Sequence, residues 1–214
     1  MKRFLWALII SAGCFVALDR MFPPIVDPSD ARYSTRVVDR HGEQLRLFTA
    51  GDGFYRMPVG IDRVSPLYLE ALLHYEDRFF YYHPGVNPLA LARALWQWIS
   101  QGELVSGGST LTMQVARILY QTEHSPLGKL EQMARAVQLE WHFTKREILE
   151  LYLNRAPFSA NIEGVEMAAQ QYLRKSASEL TASEAALLAV LPQAPTRYRP
   201  DRHPERAQAA RDKV

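Results

Sequence analysis

The sequence predicts a mainly α-helical domain that carries a small N-terminal β-hairpin and follows a membrane-anchor helix, and three observations lead there. From Ser65 onward, apolar residues recur at helical spacing through several long segments. Between Thr35 and Phe48, in "TRVVDRHGEQLRLF", apolar and polar residues instead alternate on both sides of a His-Gly turn. Ahead of both, Lys2 and Arg3 precede an uncharged apolar run from Phe4 to Leu18.

That run is short for a spanning helix, which needs about 20 apolar residues. Tilt, bilayer thinning and the following "MFPPIV" extend its reach. Residues 1–22 are therefore read as an uncleaved anchor, with a cleaved signal sequence as the alternative. "SAGC" makes a poor lipoprotein box, because Ser11 stands where a leucine-like residue is expected. Retention of Lys2 and Arg3 on the inner side places everything after about residue 20 across the membrane. Residues 23–34, which begin "PPIVDPS", read as an extended linker, and residues 35–214 as the functional domain.

Within that domain "FYRMPV" is a candidate partner strand for the hairpin. Ser65 and Pro66 then form a helix start, and Leu69, Leu72 and Leu73 of "LYLEALLHYEDRFF" share a face. In "NPLALARALWQWIS", Leu91, Ala94, Leu95 and Trp98 recur at helical spacing; core packing is the preferred use of its tryptophans, and a membrane interface the other. "KLEQMARAVQLEW" sets Leu130, Met133, Ala134, Val137 and Trp141 in a stripe expected to face the core, with Lys129, Gln132 and Arg135 off it. Thr181 and Glu184 make a capping box before an apolar helix that stops at Pro192 and belongs in the domain centre. The tail "DRHPERAQAARDKV" ends inside a helical pattern, as expected of a truncated frame or a fragment.

Composition narrows the function classes. With 48% hydrophobic and 22% charged residues the chain is globular material. A net charge of +2 excludes nucleic acid as the expected partner, so an anion site must come from local clustering of Lys and Arg. Cys14 is the single cysteine, which rules out an intrachain disulfide. The six histidines are scattered without a zinc-ligand pattern, so no structural metal site is expected.

Two stretches have the residue types for chemistry. "GGSTLTMQVAR", residues 107–117, reads either as a turn with Ser109 or Thr110 capping a helix or as a loop that cradles phosphate. "EDRFFYYHPGVNP", residues 76–88, sets Glu76 and Asp77 beside aromatics, where repulsion and desolvation raise one carboxyl's pKa. A solvated helix end is the ordinary alternative for that pair, and a turn or core histidine the ordinary reading of His83.

Taken in order, E-D-x-x-F-x-x-H-x-G, then G-G-S-T-x-T, then "GKLEQ", "QLEWHFTKREILELYLN", "GVEMAAQQYL" and "ASEAALLAVLPQAP" resemble the glycosyltransferase domain of class A penicillin-binding proteins across residues 35–214. Met113, "LNRAPF" and "LPQAPTRYRPDR" look most like its 1C-type members. The resemblance implies a lysozyme-like fold with a second, membrane-near lobe around residues 86–106. It also implies polymerisation of lipid II into β-1,4 glycan strands, with release of undecaprenyl diphosphate, on the periplasmic face of a bacterial inner membrane. Lipid II, the growing glycan chain, membrane lipid and other cell-wall synthesis proteins are the implied partners.

By position, the resemblance makes Glu76 the general base and Asp77 a group that shapes its surroundings. His83, Ser109, Thr110, Gln114, Arg117, Lys129 and Gln132 match substrate-binding positions. No cofactor is required, and Mg or Mn assisting the diphosphate is the candidate cation. Gly128 and Gln132 depart from the family's Arg-Lys-x-x-Glu motif, and Ser159 and Arg174 replace common glycines. Gln132 still offers hydrogen bonds but no charge, which throws proton transfer onto Glu76. Two alternatives remain: a lytic transglycosylase or muramidase, and a weakly active membrane-anchored module that binds lipid II or synthesis partners. Without Ser-x-x-Lys followed by Lys-Thr-Gly, neither a transpeptidase domain nor β-lactam acylation is expected.

Overall fold

The computed structural model describes residues 33–101, 108–123 and 125–214, with residues 13, 16–17 and 19–24 of the N-terminal segment. Most of the expected anchor and linker, and residues 102–107 of the expected membrane-near lobe, lie outside the described residues. Among the described residues no helix is long and apolar enough to cross a membrane.

Strands β1 (Thr35–Val38) and β2 (Gln44–Phe48) pair antiparallel, with a register irregularity between Val37 and Val38. The Asp39 carboxylate closes the turn by accepting from the backbone N–H groups of His41 and Glu43 at 2.8 and 2.9 Å. Most of both strands is exposed, and Leu47 is the strand residue that packs on the core. The "FYRMPV" segment does not extend this sheet. Its strand β3 (Tyr55–Arg56) pairs in parallel with β4 (Ile162–Glu163) instead. The buried Arg56 guanidinium favours that partner, because there it meets Glu163 at 2.5 Å and Asp52 at 2.7 Å.

Helix α1 (Pro66–Glu76) begins at a proline suited to the first turn, but Ser65 does not cap it with its side chain. The buried Ser65 hydroxyl donates to the Leu180 carbonyl at 3.1 Å. Tyr68 and Leu72 form the fully buried side of α1, while Leu69 and Leu73 are half-buried. In α2 (Pro88–Gln101), Trp96 is 71% exposed, which removes it from the core; the side chains of Ala94, Leu95 and Trp98 lie outside the described set.

The centre of the domain is α3 (Leu111–Tyr120), which packs between α4 (Pro126–His142) and α5 (Lys145–Arg155). Leu111, Met113, Val115 and Ala116 are buried on it, each large side chain contributing about 1.5–3 kcal/mol by leaving water. Behind lie α6 (Val165–Leu173), α7 (Ala182–Val190) and α8 (Pro204–Arg211), with α7 packed on both α1 and α8. Glu184 caps α7 by accepting from the Thr181 backbone N–H at 2.9 Å and its hydroxyl at 2.7 Å.

On α4 the apolar stripe does not face the core. Leu130 is 57% and Trp141 69% exposed, and Val137 is exposed as well. The buried side consists of Gly128, Gln132, Ala136, Gln138 and Leu139. Small residues there let α4 lie close against the chain before α3, and the polar ones meet partners, so hydrophobic periodicity points to the wrong face. The N-terminal segment lies along this helix: Asp19 accepts from Gln138 at 2.7 Å and from His142, and the Phe22 carbonyl accepts from Gln138 at 2.8 Å.

Candidate active site

Helix α1 ends at Glu76 because Asp77 turns out of the helical region, its N–H still bonded to the Leu73 carbonyl at 3.0 Å. The Asp77 carboxylate is buried, accepting from the Leu111 N–H at 2.9 Å and from His83 Nε2 at 2.9 Å. It thus joins the end of α1 to the start of α3, where a negative charge meets the favourable helix dipole. Thr110 caps α3, its hydroxyl accepting from the Met113 N–H at 3.1 Å and donating to the Gly85 carbonyl. Gly85 has φ +87°, and a Cβ there would lie 2.6 Å from the Ala136 carbonyl oxygen, so this crossing requires glycine.

Asp77, His83 and Thr110 are therefore buried frame residues, bonded to one another's elements and absent from the cleft lining. Three further residues, which lie within the quoted motifs but have no role assigned by the sequence, complete the frame. Lys145 donates to the His83 carbonyl and to Glu140, each at 2.7 Å, and Glu140 also accepts from Thr112 at 2.6 Å. Only tertiary packing brings these three together.

Beside this frame a cleft of about 570 Å³ is lined by Tyr75, Glu76, Ser109, Gln114, Arg117, Gln132 and Gln193. Gln114, one turn into α3, donates to Glu76 Oε2 at 2.6 Å. Burial pushes the Glu76 pKa up; the Gln114 bond and the charge of Arg117 oppose this, and Asp77 adds to it. Arg117 lies on the same side of α3 and makes no hydrogen bond or ion pair among the described residues. From α4, Lys129 donates to Ser109 Oγ and, at 3.3 Å, to Gln132 Oε1. Burial, and then Arg117, hold its pKa below the usual lysine value. Tyr75 closes one wall by donating to Gln193 Oε1 at 2.8 Å. Tyr75 carries no signal that sequence reasoning could have used, and Gln193 lies in the quoted "LPQAP" without being singled out.

The arrangement thus sets one carboxylate with an elevated pKa and the cation Arg117 in one lining, with a second cation, Lys129, bonded to Ser109 and Gln132 of that lining. Such a site can take a proton and hold an anion. Among the described residues Glu76 is the single carboxylate in the lining, and a divalent cation there would stand beside the Arg117 guanidinium, a donor set that does not suit it.

Residues 41–214 match the model of the Transglycosylase family. The chain belongs to this family. It is 52% identical over 219 residues to penicillin-binding protein 1C of Escherichia coli (strain K12), covering 100% of this chain and 28% of that protein. Penicillin-binding protein 1A of Aquifex aeolicus is 37% identical over 193 residues, covering 90% and 26%, and penicillin-binding protein 1F of Bacillus subtilis 34% over 183 residues, covering 85% and 25%. The chain therefore spans less than a third of the length of these curated relatives. A crystal structure of penicillin-binding protein 1A from Haemophilus influenzae aligns with a TM-score of 0.44 and 22% identity, over 85% of this chain and 17% of that one.

Within this transglycosylase domain two of the unusual residues, Gly128 and Gln132, have local causes. A Cβ on Gly128 would lie 2.1 Å from the Glu123 carbonyl oxygen, so the turn before α4 admits no side chain there without moving. Gln132 is buried and bonded at both ends, donating to Thr122 Oγ1 at 2.9 Å and accepting from Lys129. Arg174 ends α6 at φ 59°, a left-handed conformation that favours glycine. Ser159 is buried with an ordinary backbone, and its hydroxyl reaches Asn161 at 3.4 Å.

Proposed function

We propose that this domain is a peptidoglycan glycosyltransferase that polymerises lipid II, with Glu76 as general base. The observation that carries this reading is that Glu76 and Arg117 line one cleft, with Lys129 bonded to two more of its lining residues, Ser109 and Gln132. The acceptor sugar hydroxyl attacks the anomeric carbon of the donor, and Glu76 takes its proton as the new glycosidic bond forms. The bond from anomeric carbon to phosphate oxygen breaks, and its electron pair leaves with the undecaprenyl diphosphate. A diphosphate leaves without a strong general acid, so stabilisation of its charge by Arg117, Lys129 and the hydroxyl of Ser109 replaces the second carboxylate of ordinary glycosidases.

Burial of Glu76 serves this role, since a carboxylate with a raised pKa is a stronger base. Arg117 suits the diphosphate because its guanidinium forms two parallel bonds to phosphate oxygens. A membrane seat is supported by the outward apolar residues of α4, Leu127, Leu130 and Trp141, with Phe22 of the N-terminal segment beside that helix. A polyprenyl substrate would enter from that side, in the periplasmic leaflet.

The detergent-solubilised chain is incubated with labelled lipid II and the products are resolved on a gel. Long glycan strands are the expected result. Muropeptide release from preformed sacculi would favour a degrading enzyme, and lipid II binding without strand formation would favour an interaction module.

A further inference from the structure

Three buried polar atoms behind the cleft have no hydrogen-bond partner among the described residues: Glu76 Oε1, Tyr68 OH and Tyr152 OH. Tyr68 and Glu76 lie eight residues apart on α1, on the face that also carries Leu72, and Tyr152 reaches the same core from α5. Buried hydroxyls and carboxylates nearly always have a partner, in the protein or in an enclosed water. The charge of Glu76 raises the pKa of both phenols beyond what burial does, so all three groups share one electrostatic neighbourhood. Glu76 Oε2 is already held by Gln114, which leaves Oε1 as the buried oxygen without a donor among the described residues.

We propose that Tyr68 and Tyr152 are positioning residues for Glu76, their hydroxyls holding Oε1 through a water enclosed among the three groups. The carboxylate then has a donor on each oxygen, Gln114 on one and the enclosed water on the other. This fixes its plane and leaves a lone pair toward the cleft to receive a proton. Asp77 beside Glu76 in the chain, Tyr75, Arg117 on α3 and Lys129 beyond it on α4 complete its titratable surroundings. None of these donates to Oε1.

The placement of the phenols stands without the glycosyltransferase reading, and only a kinetic test of it rests on that reading. Infrared titration of the whole chain, with Glu76→Gln subtracted, isolates the Glu76 carboxyl in the absence of substrate. In Tyr152→Phe its midpoint moves up by about one pH unit, because the charged form loses a donor. Tyr68→Phe moves it in the same direction by less, and the double variant by at least as much as Tyr152→Phe. Near-ultraviolet circular dichroism establishes that each variant is folded, and Tyr68→Phe serves as the reading if Tyr152→Phe is not. The acid limb of lipid II polymerisation moves with the carboxyl midpoint. A carboxyl midpoint that stays in place, or moves down, in the folded variants overturns the positioning role. A midpoint that moves while the acid limb of polymerisation does not would leave positioning intact and overturn Glu76 as the base.

Discussion

Among the described residues Gln114 is the one direct donor to the Glu76 carboxylate, and Gln114→Leu removes it while nearly conserving side-chain volume. The bond lost is 2.6 Å long and ends on a carboxylate. Hydrogen bonds to charged groups contribute roughly 1.5–3 kcal/mol, and one pH unit corresponds to about 1.4 kcal/mol. Burial already raises the Glu76 pKa, and the Gln114 bond is the first force opposing it. Its loss therefore moves the acid limb of the pH profile upward by about one to two units. Below that limb, strand formation falls by roughly ten- to a hundred-fold, while the rate on the high-pH plateau changes much less. The assay is strand formation from labelled lipid II between pH 5 and 9, fitted for kcat/KM. An acid limb that stays in place in the folded variant would show that Glu76 ionisation does not govern the rate.

Three further outcomes concern the scaffold. Gly128→Ala places a methyl 2.1 Å from the Glu123 carbonyl position, so the loop before α4 must shift; a loss of about 1–3 kcal/mol in urea unfolding is expected. Arg174→Gly relieves the left-handed backbone at the end of α6 and stabilises the domain by roughly 0.5–1 kcal/mol, after allowance for the freer unfolded chain, as read by calorimetry. The Glu184 pKa is held down to about 2 by the backbone and hydroxyl of Thr181 and then by Lys175. A depressed carboxyl contributes stability that is complete above its unfolded value and disappears as pH falls through the folded one. Glu184→Ala is accordingly about 1 kcal/mol less stable near neutral pH, and in acid titration its deficit shrinks as pH falls toward about 2.

Where local chemistry decided the structure, the sequence was legible. Thr110 caps α3 because a hydroxyl before a run of helix formers has few better uses, and Thr181 with Glu184 marks the start of α7 for the same reason. The grouping of Glu76, Gln114 and Arg117 could be read from motif resemblance, since the two motifs open or close adjoining helices. Other features depend on packing that leaves no local mark. His83 matched a substrate-binding position but serves the frame with Asp77, because only the folded chain brings Leu111 and Lys145 to them. The stripe on α4 failed more instructively. Hydrophobic periodicity assumes that the apolar face is the buried one, whereas Leu130 and Trp141 face outward and Gln132 is buried beside Lys129. The sequence singles out neither Tyr68 nor Tyr152; their burial without a hydroxyl partner among the described residues emerges only in the fold.

Glu76→Gln bears on the proposed mechanism more directly than any other variant, provided binding and turnover are measured on the same sample. Because burial raises the Glu76 pKa in the folded state, its charge costs stability as pH rises from the unfolded value through the folded one. The neutral glutamine should therefore unfold at a higher temperature than wild type above that window, which separates loss of chemistry from loss of fold. Lipid II binding is expected within a few-fold of wild type, since Arg117, Lys129 and Ser109 are untouched. Strand formation is expected to fall by roughly 10²–10⁴-fold, as for loss of a general base. Glycan strands formed by Glu76→Gln at the wild-type rate would contradict the assignment of Glu76 as the base.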